Sequence, residues 1–143
     1  MVRRPITIIG ALIVIALLMI AGGCSPKDRS LDGTHWRLSG WTLSSLNPAD
    51  LTITAQFEDG KISGNSGVNT YGGPVKIGPG SAFSAGPLSS TEMAGSESAM
   101  RAETAYMTLL GQARSYKMAD GALTLYDGGG NESLIFEAAS SEP

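Results

Sequence analysis

Two side chains that often carry chemistry occur once each in this chain of 143 residues, as Cys24 and His35. A single cysteine can form neither an intrachain disulfide nor a cysteine-based zinc site. His35 directly precedes Trp36 in a segment that suggests a strand, so we expect an exposed or edge-strand histidine. Because a nucleophile needs a base within hydrogen-bond reach, we expect no catalytic residues and no enzyme activity.

The position of Cys24 offers another explanation for a single cysteine, because Cys24 directly follows a segment with a distinctive order of residues. The chain begins with Met-Val-Arg-Arg, residues 6–20 are almost entirely apolar, and residues 21–23 are Ala-Gly-Gly. This order of charged, apolar and small segments is typical of a secretory signal peptide. Two alternatives stay open. One is cleavage without lipid, and the other is an uncleaved anchor, since the 18 residues from 6 to 23 are near the lower limit for spanning a bilayer.

Residues 20–24, with the sequence Ile-Ala-Gly-Gly-Cys, resemble the lipobox of bacterial lipoproteins. The resemblance implies a diacylglycerol on the Cys24 thiol and removal of residues 1–23, although Ala21 stands where the usual pattern has a larger aliphatic side chain. Each buried methylene contributes about 0.8 kcal/mol, so the acyl chains of a mature lipoprotein hold it at the membrane. We expect residues 24–30 to be a lipidated tether at the cell membrane or outer membrane, with the folded domain outside the cytoplasm.

Composition argues against several other classes of function. Without residues 1–23 the chain keeps 8 basic against 13 acidic residues, a net charge of −5, and it has no basic stripe. Nucleic acid is therefore not an expected partner. The acidic residues are scattered, so we expect no metal site and no cofactor. The glycine-rich segments 78–80 and 128–130 lack the lysine and the following helix of a phosphate-binding loop, which favours turns.

Alternation of polar and apolar residues predicts short strands along most of the remaining chain. The clearest is 51–58, where every second residue is apolar and an Asp59-Gly60 hairpin turn follows. Its return strand should be 61–64, followed by a loop at 65–73 that is dense in Gly, Asn and Ser. Asp120-Gly121 marks a second turn. The other predicted strands are 34–41, 74–77, 82–88, 115–118, 122–126 and 133–137.

One helix is predicted at 97–112, because apolar residues recur there at spacings of three and four and form a single stripe. Ser96 can cap its first turn. Closely spaced turns imply antiparallel pairing, and one helix cannot cover a flat sheet of about seven or eight strands. We predict an α+β fold, mostly antiparallel β, with a strongly curved sheet or partial barrel around the helix. The domain should span 31–138, with 139–143 as a frayed tail.

Two motifs lie ahead of this helix, Gly-Val-Asn-Thr-Tyr-Gly-Gly at 67–73 and Thr-Glu-Met-Ala-Gly at 91–95. They are similar to the Gly-Cys-Asn-x-Tyr-x-Gly and Thr-x-Met-Ala-Cys motifs of the META domain, also called the heat-shock-protein HslJ-like domain. Val68 and Gly95 stand where many members carry cysteine, so any link between those positions is excluded here. Further matches to the family are the segment 33–38, Phe57 with 60–64, the helix residues Glu103, Tyr106 and Leu110, and the segment 123–125.

The resemblance implies a compact, mostly antiparallel α+β domain and no established catalytic residues. Its members are often associated with the bacterial envelope, and some are linked to heat shock or to tolerance of antibiotics. The candidate motif residues are Asn69, Tyr71 and Thr91. For the segment around Asn69 and Tyr71 we favour a structural role, in which it locks the central turn. A binding surface is the alternative.

These observations lead to one expected function. We expect a non-enzymatic, membrane-anchored module that binds a protein or another envelope component, in envelope integrity or stress tolerance. One alternative is an inhibitor or regulator of a secreted enzyme that presents a glycine-rich loop. A hydrolase is a third alternative, which a deep pocket gathering Asp, Glu and Ser side chains would support.

Overall fold

The computed structural model describes residues 30–42 and 45–140. The predicted leader 1–23, Cys24 and the tether up to residue 29 lie outside the described residues, as do residues 141–143 of the predicted tail. No helix in the described part of the chain combines the length and apolar character needed to cross a membrane.

Nine strands and one helix make up the domain within these residues. Two short 3-10 turns, Pro48–Asp50 and Pro79–Ser81, interrupt the strand sequence. In chain order the elements are β1 (Thr34–Trp41), β2 (Thr54–Glu58), β3 (Lys61–Asn65), β4 (Thr70–Gly78), β5 (Ala82–Ala85), β6 (Ser89–Ser90), α1 (Glu97–Gln112), β7 (Ser115–Ala119), β8 (Ala122–Tyr126) and β9 (Glu132–Ala138).

All strand pairs are antiparallel, and the sheet order is β3-β2-β1-β9-β8-β7-β5-β4-β6. A further pairing of β3 with β4 closes this order into a ring. The joint between β5 and β7 rests on the pairing of Ala82 with Ser115 and on a 2.9 Å bond from Phe83 N–H to Arg114 C=O. The predicted α+β fold with a strongly curved antiparallel sheet is confirmed.

The core lies inside the ring, because alternate strand residues point inward. The helix adds one apolar face: Tyr106 and Leu110 are fully buried, while Arg101 and Thr104 are exposed. The helix bounds equal the predicted ones, and the Ser96 hydroxyl caps the first turn by accepting from Ala99 N–H at 3.2 Å. Buried strand residues include Trp36, Leu38, Ala55, Phe57, Ile62, Leu123, Leu125, Leu134 and Phe136.

Both predicted Asp-Gly turns are present, with positive φ at each of the four residues, as such hairpins require. The predicted loop at 65–73 is wrong. β3 continues to Asn65 and β4 begins at Thr70, so the turn is confined to 66–69. Gly72 and Gly73 lie within β4, where neighbouring strands supply the order that local sequence does not. The predicted strand at 51–58 begins later, at Thr54, and that at 82–88 ends earlier, at Ala85.

Neighbouring strands run in opposite directions, so each end of the ring collects alternate strand ends. We use the name near end for the end that carries Ser30 and the turns 59–60 and 120–121. The opposite end, the far end, carries the turn 66–69 between β3 and β4 and the turn 127–131 between β8 and β9.

Candidate functional site

The turn 66–69 carries two of the three buried polar residues in the described part of the chain. Ser66 is 0% exposed and Asn69 is 2% exposed. The turn closes through its backbone, since the Ser66 N–H donates to the Asn69 carbonyl at 2.8 Å. Gly67 has φ +113°, a conformation that L side chains rarely adopt. The sequence Ser-Gly-Val-Asn therefore suits a tight reversal that fixes the position of Asn69.

The carboxamide of Asn69 connects three separate segments. Its Nδ2 donates to Glu103 Oε1 at 2.9 Å and to the Met93 carbonyl at 3.3 Å. Its Oδ1 accepts from the Met93 N–H at 2.7 Å and from the Thr91 hydroxyl at 2.8 Å. These four bonds use the full capacity of a carboxamide, two donors and two lone pairs. We use the name polar clamp for Ser66, Asn69, Thr91 and Glu103.

Glu103 is the acidic member of the polar clamp. Its Oε2 accepts from the Asn69 N–H at 3.0 Å and from the Ser66 hydroxyl at 2.9 Å. Partial desolvation opposes the charged form. The hydrogen bonds from Asn69 and Ser66 outweigh that effect and hold the pKa of Glu103 below its ordinary value. The carboxylate is therefore ionised at neutral pH, and its donors come from within the domain.

Two tyrosines form a separate hydrogen-bonded pair between β4 and α1. The hydroxyls of Tyr71 and Tyr106 lie 2.6 Å apart, and their rings meet edge to face at 5.4 Å. Tyr71 donates to the Thr54 carbonyl at 2.9 Å, so Tyr106 must donate to Tyr71, because a hydroxyl has one proton. Burial raises the pKa of Tyr71, although the bond to Tyr106 opposes this, and burial also raises the pKa of Tyr106. Both rings are neutral at pH 7.

The structure brings two of the three candidate motif residues into direct contact, namely Asn69 and Thr91. Tyr71 bonds instead to Thr54 and Tyr106. Sequence reasoning placed Glu103 on the helix but gave it no role. The sequence did contain a sign of this role. Glu103 lies four positions after Ala99 and three before Tyr106, so it is an acidic residue on the helix face that otherwise forms the apolar stripe.

The polar clamp has the chemical groups of a serine–carboxylate pair but not the access that a reaction needs. The Ser66 hydroxyl donates to the Glu103 carboxylate, yet Ser66 is fully buried. His35 lies at the near end of β1 and is exposed, as expected. Within the described residues no hydrogen bond joins it to a serine. The arrangement therefore fits a structural fastening better than a nucleophile and its base.

The glycine-rich segments form turns. In 127–131, Asp127 Oδ1 accepts from the N–H groups of Gly129 at 2.8 Å and Asn131 at 2.9 Å. Hydrogen bonds from Asn131, assisted by Gly129 and Gly130, lower the pKa of the Asp127 carboxyl. The segment 78–80 leads into β5 rather than into a helix. No group of three or more His, Cys, Asp or Glu side chains suited to a metal ion occurs in the described part of the chain.

Val68 and Gly95 face each other across the far end. A Cβ placed on Gly95 would lie 3.5 Å from the Cβ of Val68 and 2.6 Å from its Cγ2. The second distance is shorter than real contacts allow, so the Val68 side chain occupies the space that a larger residue at 95 would need. The two positions at which family members carry cysteine are thus adjacent here, and a Val–Gly pair fills the space.

The fold and the polar clamp define a small antiparallel barrel domain fastened at one end by a buried polar network. The model of the META domain family matches residues 29–140. The chain belongs to this family. A search of curated proteins finds no match.

Three solved structures resemble the chain. The NMR structure of a protein from Burkholderia xenovorans is 28% identical, with a TM-score of 0.64, and the match covers 77% of this chain and 84% of that one. A second NMR structure is 16% identical, with a TM-score of 0.59 and coverage of 78% and 94%. A crystal structure of a DUF4847 family protein from Bacteroides vulgatus is 14% identical, with a TM-score of 0.55 and coverage of 78% and 96%. The last two show the fold alone. The META family is not a known enzyme family.

Proposed function

We propose that this chain is a lipid-anchored protein of the bacterial envelope and that its META domain is a non-enzymatic binding module for a protein or another envelope component. The observation that carries the proposal is the position of Cys24, the sole cysteine. It ends a segment with the order of a signal peptide, and the family match begins five residues later, at residue 29.

The chemistry of the motif residues supports binding without catalysis. All four hydrogen bonds of the Asn69 carboxamide are made within the domain. The Glu103 carboxylate accepts three hydrogen bonds, from Asn69 and Ser66. No buried side-chain nitrogen or oxygen within the described residues lacks a partner. Active sites commonly keep such groups free for a substrate, whereas this domain uses them for its own stability. A partner would then bind another part of the surface.

The anchor is tested by expressing the full chain in a bacterium and measuring the intact mass of the membrane-extracted product. We expect a protein that begins at Cys24 and carries a diacylglycerol on the thiol. The matched control is Cys24→Ser, which should keep residues 1–23 and gain no lipid. An unmodified Cys24 still joined to its leader in the wild-type product contradicts the proposal.

The binding role is tested by cross-linking the lipidated protein in intact cells and identifying the products by mass. We expect a reproducible envelope component that is lost when the domain is unfolded by a core substitution such as Phe57→Ala. That substitution removes roughly 3–5 kcal/mol of stability. Turnover of a model ester or peptide by the purified chain, abolished by Ser66→Ala in a folded protein, contradicts a non-enzymatic role.

A second candidate function, regulation of a secreted enzyme, is favoured by the turn 127–131. Asp127 holds this exposed loop in one conformation through bonds to Gly129 and Asn131, and a preformed loop loses less entropy on binding. Replacing Asp127 by Ala should loosen the loop without unfolding the barrel. Loss of enzyme inhibition in that variant, with an unchanged melting temperature, would support the regulator over the envelope component.

A further inference from the structure

Two grooves open at the near end, one on each side of Ser30. The first, of about 560 Å³, is lined by several charged side chains: Asp32, Glu58, Asp59, Lys61 and Lys76. The second, of about 410 Å³, has no Asp, Glu, Lys or Arg in its lining. We use the name apolar groove for the second. Its lining includes Gly33, His35, Trp36, Met118, Ala119, Ala122, Ala138 and Ala139.

The lining of the apolar groove defines the chemistry of a ligand. Small side chains and Met118 leave room beside the ring of Trp36, which is 6% exposed. Its volume is within the roughly 300–1,000 Å³ range of small-molecule sites, which are mostly apolar. Because the lining has no carboxylate, lysine or arginine, the exposed His35 is the only titratable side chain that it offers to a charged ligand. An uncharged, flexible hydrocarbon fits these properties.

The position of the groove limits where its ligand comes from. Ser30 lines the groove and lies six residues after Cys24, a distance that an extended chain covers in about 20 Å at most. With lipid on Cys24, the groove stays within that distance of the bilayer surface. The hydrocarbon present there at the highest concentration is the acyl chain of a membrane lipid.

We propose that the apolar groove binds an acyl chain of a bilayer lipid, an inference that rests on the proposed lipid anchor. The chains attached to Cys24 itself are a poorer occupant. If one of the chains on Cys24 occupied the groove, the protein would be held in the membrane by one chain fewer, and a single acyl chain gives only marginal binding. A bilayer lipid in the groove leaves every anchor chain in the membrane.

The two tryptophans of β1 report on the proposal. Trp36 lines the groove, whereas Trp41 lies at the far end, about 16 Å further along the strand, where its ring N–H donates to the Leu46 carbonyl. The lipidated mature chain is reconstituted in phosphatidylcholine vesicles whose acyl chains carry bromine, a quencher that acts at short range. In the Trp41→Phe variant all tryptophan emission comes from Trp36. The emission of Trp41 is the difference between the wild type and this variant. We expect loss of most of the Trp36 emission and little change for Trp41.

A matched pair of variants separates groove binding from mere closeness to the bilayer. Ala122→Phe fills the groove and should restore the Trp36 emission. Thr124→Phe is the matched control. Residues 122 and 124 lie on the same face of β8, because the alternate residues Leu123 and Leu125 are buried. Thr124 does not line the groove, so its variant adds the same ring outside it. It should leave the quenching unchanged. Urea unfolding verifies that both variants are folded.

Each other outcome overturns the proposal. Equal quenching in both variants shows that Trp36 is merely near the bilayer. Absence of quenching in a lipidated, folded protein shows that the groove is empty or holds its own unbrominated anchor chain. The intact mass of the reconstituted protein shows whether Cys24 carries lipid. A missing lipid contradicts the proposed anchor, whereas an unoccupied groove in a lipidated protein contradicts only the acyl-chain proposal.

Discussion

The two ends of the barrel are held together by different means. At the far end, side chains from the turn 66–69, the segment 91–93 and α1 join in the polar clamp, with Asn69 bonded to Glu103 at 2.9 Å. At the near end most connections between strands are made by the backbone. They include the turns 59–60 and 120–121 and hydrogen bonds such as that from Ala139 N–H to the His35 carbonyl at 3.0 Å.

The difference between the two ends places the buried hydrogen bonds that stabilise the fold at the far end and the space for a ligand at the near end. Buried polar side chains stabilise a fold only when fully paired, so the far end has few free groups to offer a ligand. Backbone turns with small residues leave concave space instead, and both grooves beside Ser30 lie at the near end. The motif residues Asn69 and Thr91 are thus hydrogen-bonded within the domain, while alanines and glycines line the apolar groove.

The largest expected effect comes from adding a covalent link at the far end. In the double variant Val68→Cys, Gly95→Cys, the Cβ atoms start from 3.5 Å, within the usual disulfide range. Closing a loop of 28 residues should add roughly 3.5 kcal/mol to the free energy of unfolding. Urea unfolding with and without reductant measures it. Each single variant is the control, and an equal free energy of unfolding with and without reductant in the double variant contradicts the adjacency.

The polar clamp itself is tested by Asn69→Ala. Removing the carboxamide leaves Glu103 Oε1 and the Met93 backbone without their bonds, which should cost roughly 3 kcal/mol. The near-end control is His35→Ala, an exposed position where a change should stay within about 0.5 kcal/mol. Equal losses in the two variants would remove the contrast between the ends. A stable Asn69→Ala protein that has lost envelope function would favour a binding role for this turn.

A smaller asymmetry is expected within the tyrosine pair. Tyr71→Phe leaves the fully buried Tyr106 hydroxyl without an acceptor and should cost roughly 2 kcal/mol, whereas Tyr106→Phe leaves Tyr71 bonded to Thr54 and should cost roughly 1 kcal/mol. Thermal and urea unfolding compare the two. The reverse order would contradict the assigned direction of the hydrogen bonds.

The same pair predicts sensitivity to alkali. The folded-state pKa values of Tyr71 and Tyr106 are raised above the unfolded value of 10.0, so their stabilising effect is complete below pH 10.0 and declines as the pH rises above it. Stability measured from pH 8 upward should therefore fall less in Tyr71→Phe than in the wild type, relative to each protein's value at neutral pH.

The smallest expected effect is at acid pH. The folded-state pKa of Glu103 is lowered below its ordinary value of 4.5, so its stabilising effect is complete above that pH and is lost as the pH falls through the folded-state value. Glu103→Gln should be less stable at neutral pH and should lose less on acidification. Urea midpoints from pH 7 to pH 3 provide the comparison, and parallel curves for the two proteins would exclude the carboxylate as the cause.

Features encoded within a few residues were predictable from the sequence. The Asp-Gly turns at 59–60 and 120–121, the helix Glu97–Gln112 and its Ser96 cap depend on local geometry, and all are present. The predicted loop at 65–73 was wrong because the order of Gly72 and Gly73 comes from pairing with β3. A contact between β3 and a strand of mostly small residues leaves no pattern in the sequence.

Only part of the candidate site could be predicted from the sequence. Asn69, Tyr71 and Thr91 stood out as motif residues, but the acidic partner of Asn69, Glu103, is 34 residues away, in α1. Glu103 matched the family's helix but had no assigned partner, and Ser66 looked ordinary, since a serine in a Gly-rich turn is common. The apolar groove had no signal, because its alanines and glycines come from separate strand ends.

The pairing of β1 with β9 has a consequence for how the molecule is made. Trp36 lies opposite Ala138, about 100 residues later, so the ring stays open until almost the whole chain is available. Contacts of such long range are slow to form, and the first strand waits with an unpaired edge. A chain exported as we propose would therefore complete its ring only after its last strand has crossed the membrane.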